Sequence, residues 1–434
     1  MSIQKSRFSA IPEDLGREIL ATITAWALFC VTLSTKTPIL FEADDYAYRA
    51  SIIALKNGLI VLSQSQYTHL NSLLKGSGVV GIYQWTHLTN GNWISQKNPG
   101  FPFLAEPFYL IGNLRLLPAF YALLAVLGIF LGARKWLGSG GGFVASVCFL
   151  FTGASLTYGY RVTMPTFTEA CLIGCGLGLL IWSSLAESSS QSKNIVSCAA
   201  FALLGCAVFS RYTNAVIYVG VLVVLLVVSN KFGFSRRAVV NWLAITGFLA
   251  IGILEFNHRF YGGWLNTGYS GQKFSTSLAN YPKNVTQIPI FLVEAMPVVL
   301  IAIWAGIHIF RRSKRRLMAP SATVDNDRMF AILLVVSTAL LWALYFGYNR
   351  TAVTLYSTAA IHVVRFYVPA LAPLALLAAW QLMKLNIKWR VGILVLLVVT
   401  SFWSFQSLTK QSPPLPGQPG GPPLWSKTPL TKAQ

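Results

Sequence analysis

Phe41-Glu42-Ala43-Asp44-Asp45-Tyr46-Ala47-Tyr48-Arg49-Ala50 follows, after only a few residues, a first apolar stretch that starts near Ile19. It opens a helix-like run through Leu55 that stops at Asn57-Gly58, and three acids crowd its start. Acids in a first helical turn suit the helix dipole and can cap it. That accounts for one of them. Three together, in a chain of 434 residues with only thirteen Asp and Glu, point to a functional role. The surroundings narrow that role. Hydrophobic residues make up 54% of the chain and charged residues 11%, against ~25% charged in an average soluble domain, and mean hydropathy is +0.57. A water-soluble globular enzyme, a disordered chain and a disulfide scaffold are excluded. The six cysteines (Cys30, Cys148, Cys171, Cys175, Cys198, Cys206) lie in apolar segments and read as packing residues.

Crossing a hydrocarbon core of ~30 Å takes ~20 helical residues. Runs that meet or approach this length start near Ile19, Leu117, Gly141, Pro165, Ile195, Thr213, Val239, Ile288, Met329, Val364 and Val391. They predict an all-α polytopic membrane protein of about eleven transmembrane helices. Lys5, Arg7 and Arg17 precede the first run and no A-x-A site follows Ser34, so that run reads as a retained span rather than a cleaved signal. The net charge of +21 falls between the runs. Arg134 and Lys135; Lys231, Arg236 and Arg237; Arg311, Arg312, Lys314, Arg315 and Arg316; and Lys384, Lys388 and Arg390 occupy one set of loops. The alternate short loops carry single cations, Arg161 and Arg211. The positive-inside rule then makes the N-terminus and the basic loops cytoplasmic in a cell (inner) membrane. Basic residues spread this way form no nucleic-acid stripe, so no nucleic-acid partner is expected.

Three segments lie on the other side: a long first outer loop, 39–116, expected to hold short juxtamembrane helices, a second at 257–283, and a third at 348–362. No G-x-x-x-x-G-K-[ST] loop is present, and Gly138 to Gly142 lacks the lysine, which leaves nucleotide-driven cytosolic chemistry without a site. Residues 1–405 read as a single membrane domain and 406–434 as a proline-rich, extended or disordered tail.

Glu13, Asp14, Glu18, Glu187, Asp325 and Asp327 fall in or beside cytoplasmic loops and read as solvated surface. Glu42, Asp44, Asp45, Glu106, Glu169, Glu255 and Glu294 sit in outer loops or at outer helix ends. A carboxylate there is costly unless it faces water or a partner, so the candidate chemistry gathers on the outer face. In Gln96-Lys97-Asn98-Pro99-Gly100-Phe101-Pro102 the lysine either snorkels or, aimed by the proline-glycine turn, holds a lipid phosphate. Glu169, in Met164-Pro165-Thr166-Phe167-Thr168-Glu169, is explained equally by a proline-led helix start. Arg211, before Tyr212, and Arg365, before Phe366-Tyr367, read as interfacial anchors or as site cations.

The order of these features resembles the GT-C membrane glycosyltransferases, in particular the branch of protein O-mannosyltransferases and the lipid A aminoarabinose transferase. The carrying residues are Asp44-Asp45 with Tyr48, Lys97-Asn98-Pro99, Glu169, Asn266-Thr267-Gly268-Tyr269 after Tyr261-Gly262, and Arg365-Phe366-Tyr367-Val368-Pro369 with Pro373. The likeness runs from about residue 17 to 405 as an ordered set of short motifs. It departs from the family in having Asp45 where Glu is commoner and a single proline after Lys97. It implies a sugar donor linked to polyprenyl phosphate, an acceptor of unknown kind (protein, lipid or glycan) and inverting chemistry on the extracytoplasmic side. It further implies Asp44 as general base, Asp45 and Glu169 orienting the acceptor or holding Asp44, and Lys97, Arg365 and Arg211 binding the donor phosphate. Tyr48, Tyr269 and Tyr367 would line the substrate cavity. Oligosaccharyltransferase relatives use a divalent metal, but two adjacent aspartates make no cage, and no obligatory metal or cofactor is expected. The alternative is a lipid or solute transporter or flippase, which requires ionisable groups near mid-membrane; these spans are largely free of them.

Overall fold

A backbone in lipid must satisfy its own hydrogen bonds, so the apolar runs close into helices. The computed structural model describes residues 13–35, 43–76, 82, 84–187, 190–269, 276–316, 326–348 and 363–410. Helix α1 (Glu13–Ser34) is followed by the long first loop, which folds into α2 (Ala43–Lys56), β1 (Val61–Leu62), α3 (Gln64–Gly76), β2 (Trp85–His87), β3 (Trp93–Ser95) and α4 (Gly100–Leu110). The short juxtamembrane helices expected there are α2, α3 and α4. The rest is helical: α5 (Leu116–Leu137), α6 (Gly141–Leu150), α7 (Gly153–Tyr160), α8 (Pro165–Leu185), α9 (Ser190–Ser210) and α10 (Ala215–Val228). Then come α11 (Arg236–Tyr261), α12 (Tyr281–Ala295), α13 (Val298–Arg316), α14 (Asn326–Gly347), α15 (Leu371–Met383) and α16 (Ile387–Lys410).

Eight helices among the described residues are long and apolar enough to cross a membrane, or ten if each of two bent pairs counts as one span. The chain is an integral, multi-pass membrane protein. Against the expected number of about eleven, the described residues give up to ten, and the run from Val364 first makes a turn at Arg365-Phe366-Tyr367 and leaves a short apolar helix behind it. The bends have local causes. Between α6 and α7 the axis turns by 60°, where the Thr152 hydroxyl takes the Ser155 amide at 3.0 Å and caps a new helix. Between α12 and α13 it turns by 111° at Met296-Pro297, where proline brings no N–H to the ladder.

The centre of the bundle is α8, whose apolar window is 83% buried, while that of α11 is only 6% buried. Glycine sets this up. A Cβ on Gly178 would fall on the Gly128 carbonyl, and one on Gly132 on the Gly178 carbonyl, so α5 and α8 cross with their backbones touching. Inside lipid, where apolar side chains gain little from leaving the solvent, such close packing is a main source of helix association.

Two expectations change here. Glu18 is buried rather than solvated: it accepts from the backbone N–H of Gly142 at 3.0 Å and of Phe143 at 3.3 Å, and it pairs with Arg134. It therefore satisfies the exposed amides at the start of α6 and complements its dipole. Helix α16 continues to Lys410, past the expected tail boundary at 406; residues 411–434, like Glu42 and 349–362, lie outside the described residues.

The loop between α1 and α5 is anchored to the end of the bundle where α8 begins and α9 ends. Strands β1, β3 and β2 form an antiparallel sheet in that order, with Ile94 of β3 facing Val61 on one side and Thr86 on the other. Helix α4 lies so close to α9 that a Cβ on Gly100 would meet the Phe209 and Ser210 backbone. The sheet thus delivers Ser95-Gln96-Lys97 against α2 from a fixed direction.

Candidate active site

Helix α2 begins with Asp44 and Asp45 in its first turn. Consecutive helical side chains diverge by about 100°, and the two acids go separate ways. Asp44 shares a face with Tyr48, one turn on, and meets the strand-borne lysine: Lys97 Nζ donates to Asp44 Oδ1 at 2.6 Å. Arg365, from the turn ahead of α15, reaches the other oxygen, with Nη1 to Oδ2 at 3.2 Å. Each oxygen of one carboxylate is thus held by a different cation. Lys97 Nζ also donates to the Tyr269 hydroxyl at 2.8 Å and lies over the rings of Tyr269 and Tyr48 at 5.1 and 5.9 Å. Tyr48 is fixed in turn by an edge-on contact with Phe101.

Two local devices make the convergence possible. The Lys97 amide bonds the Ser95 hydroxyl at 3.1 Å, which turns the chain after β3. Gly268 lies so close to Gln96 that a Cβ would strike its backbone, and this approach brings Tyr269 onto the lysine. Gln84 adds a third. It has a left-handed backbone with φ +56°, Gln96 N–H bonds its carbonyl at 2.8 Å, and its side-chain amide reaches Asp44. Burial alone would raise the Asp44 carboxyl, but the Lys97 ammonium, with Arg211 and Gln84 behind it, outweighs burial and holds the group below the ordinary carboxylate range. Burial likewise opposes the charge on Lys97, and Asp44 with Tyr269 overcomes it and raises the lysine. Burial pushes the Arg365 guanidinium down to about 10.

A second ion pair adjoins the first. Arg211 Nε lies 3.2 Å from Glu169 in the first turns of α8, and Arg211 also donates to the Thr166 hydroxyl at 3.2 Å. Phe366 joins the two groups: the Arg365 guanidinium sits 4.7 Å from its ring and that of Arg211 5.9 Å. Tyr367 turns away, fully buried among Trp342, Tyr345 and Phe346.

Asp45 is enclosed. Its side chain has no exposure, against 19% for Asp44, and it pairs with Arg161 and accepts from Thr163 at 3.1 Å. Through this pair Asp45 ties the start of α2 to the α7–α8 corner. Arg161, a lone loop cation in the sequence, is the buried clasp between α2 and the α7–α8 corner.

A crevice leaves Lys97 between α2, α4 and α11, walled by Leu55, Leu59, Pro102, Phe103 and Phe256. Phe103 is itself exposed among the apolar outer residues of α4, so the crevice is greasy up to the lysine. The described carboxylates Asp44, Asp45 and Glu169 are each engaged by cationic side chains. Among the described residues no three His, Cys, Asp or Glu gather closely enough to hold an ion.

No family model matches the sequence, and no curated protein matches it. Solved structures do. ArnT from Cupriavidus metallidurans, bound to undecaprenyl phosphate, superposes with a TM-score of 0.55 at 17% identity, over 88% of this chain and 62% of that one. The Archaeoglobus fulgidus oligosaccharyltransferase gives 0.52 at 14% identity, over 93% of this chain and 56% of that one. The archaeal oligosaccharyltransferase AglB from the same organism, in complex with an inhibitory peptide and a dolichol-phosphate, gives 0.54 at 13% identity over 94% and 56%. The chain has a GT-C fold. The resemblance carried by the motifs thus holds at the level of fold, and the chain spans about three-fifths of the length of these GT-C structures.

Proposed function

We propose that this protein is an integral membrane glycosyltransferase that moves a sugar from a polyprenyl-phosphate donor to an acceptor on the extracytoplasmic face, with inversion. The observation that carries the reading is the meeting of Asp44 with Lys97 and Arg365, Lys97 also lining a largely apolar crevice. A donor's hydrocarbon tail suits the crevice and its phosphate suits the two cations. The GT-C neighbours that hold undecaprenyl phosphate and dolichol-phosphate support the same class of lipid.

In the reaction, an acceptor hydroxyl or amine attacks the anomeric carbon opposite the phosphate. The new bond to that carbon forms as the carbon–oxygen bond to phosphate breaks, and its electron pair leaves with the polyprenyl phosphate. Asp44 takes the acceptor's proton. Negative charge grows on the phosphate as the bond breaks, so Lys97 and Arg365 stabilise the transition state more than the ground state. Arg211, paired with Glu169 beside them, lends its field, and Tyr48 and Tyr269 border the sugar.

The test is transfer of radiolabelled sugar from a polyprenyl-phosphate sugar by the detergent-purified protein. Asp44→Asn, isosteric and unable to take a proton, should lose about 10²–10⁴-fold in rate while eluting as a single folded species. Parental rates in that variant would remove Asp44 from the base role. A parent that moves polyprenyl-phosphate sugar across vesicle membranes without transferring it would favour a flippase.

A further inference from the structure

A base must offer its lone pairs to the acceptor's proton, and both oxygens of Asp44 are already held by cations, one by Lys97 and one by Arg365, which oppose its protonation. These are the two cations that the proposed reading gives to the donor's phosphate, and the inference rests on that reading. We infer that Asp44 and the donor phosphate compete for the same two cations, so that donor binding itself releases the carboxylate to act as a base. The protein then binds donor before it activates acceptor.

The charges balance at each stage. Two cations, the Asp44 carboxylate and a phosphodiester with a single negative charge sum to zero. After transfer the carboxyl carries the acceptor's proton and the departing phosphate monoester carries up to two charges, and the sum is again zero. The proton therefore arrives on Asp44 as the cations are claimed fully by the phosphate. The surroundings permit the exchange. The Asp44 and Arg365 side chains keep 19% and 16% of their surface exposed, whereas the Asp45–Arg161 pair has none and holds the start of α2 still. Lys97 keeps its bond to the Tyr269 hydroxyl as a pivot while its second partner changes. The order also protects the donor: no activated nucleophile, water included, exists until the phosphate is seated.

Competition makes an unusual prediction for binding, measured with undecaprenyl phosphate alone on the purified protein. Asp44→Asn should bind it more tightly than the parent, by about fivefold or more, because a close charged competitor has been removed. Lys97→Met and Arg365→Gln should each bind it at least about fivefold more weakly. If Asp44→Asn binds equally or more weakly while Lys97→Met still weakens binding, competition is wrong and the donor reading stands. If neither Lys97→Met nor Arg365→Gln changes binding, the donor reading itself fails. Asp44→Ser provides the same readout should the asparagine variant fail to fold, and the thermal midpoint of each variant shows that it is folded.

Discussion

One position apart on α2, Asp44 and Asp45 occupy different environments, because a helix sends neighbouring side chains about 100° apart. The sequence marks the pair as important but is silent on which member meets solvent, since that depends on where α2 lies against α7 and α8. The Lys97 partnership was legible: a lysine beside a proline-glycine turn in the loop that also holds Asp44. Arg161, Thr163 and Gln84 were not, because nothing in a lone loop cation or a loop glutamine announces a tertiary partner. The left-handed backbone at Gln84 is likewise visible only in three dimensions.

The Asp44–Lys97 pair also fixes how stability depends on pH. Asp44 is held below its unfolded value of ~3.9, so its contribution is complete above that pH and is lost as pH falls through the lower folded value. Lys97 is raised above its unfolded ~10.4, so its contribution is complete below that pH and is lost as pH rises through the raised value. The difference in thermal midpoint between the parent and Lys97→Met should therefore be flat from about pH 5 to about pH 9. A difference that vanishes near pH 6 would show that the pair is not formed in solution.

At the scale of elements, glycines mark where backbones meet, and two such contacts serve different ends. Gly178 lets α8 touch α5 in the middle of the bundle; Gly268 lets the segment after α11 touch Gln96 and carry Tyr269 to Lys97. An added methyl at either site overpacks, at a cost of roughly 1–3 kcal/mol, with separable consequences. Gly178→Ala should lower the thermal midpoint of the whole protein. Gly268→Ala should leave the midpoint closer to the parent and weaken polyprenyl phosphate binding, because Lys97 loses its pivot. Equal midpoints for the two variants would show that the loop contact is as structural as the helix crossing. The helical runs were readable from hydropathy, but the α12–α13 bend at Pro297 was not read from it. Nor was the α6–α7 bend, because a threonine cap within an apolar run looks like any other small polar residue.

At the scale of the whole molecule, charge placement predicts that the α2–α4 end of the bundle is extracytoplasmic. With the native cysteines replaced, a membrane-impermeant maleimide should label Ser72→Cys on α3 in intact cells. It should reach Ser139→Cys, between α5 and α6, only after permeabilisation. The opposite pattern would put Asp44 in the cytosol and end the proposed chemistry. The alternation of rich and poor basic loops was enough to predict this arrangement; the burial of Glu18 was not, since a carboxylate near a loop and one capping a buried helix start have the same sequence context.

The contrast between α8 and α11 bears on how such a chain can diverge. Hemmed in on every side, α8 has little liberty beyond the residues it already has. Helix α11 leaves most of its apolar window uncovered by the rest of the protein and, away from Trp242 and the crevice residue Phe256, can trade one apolar residue for another with little to readjust. Lineages descending from this sequence should accumulate their differences along α11 and keep α8 nearly intact, so that two distant cousins would be recognised by the helix neither of them shows to the lipid.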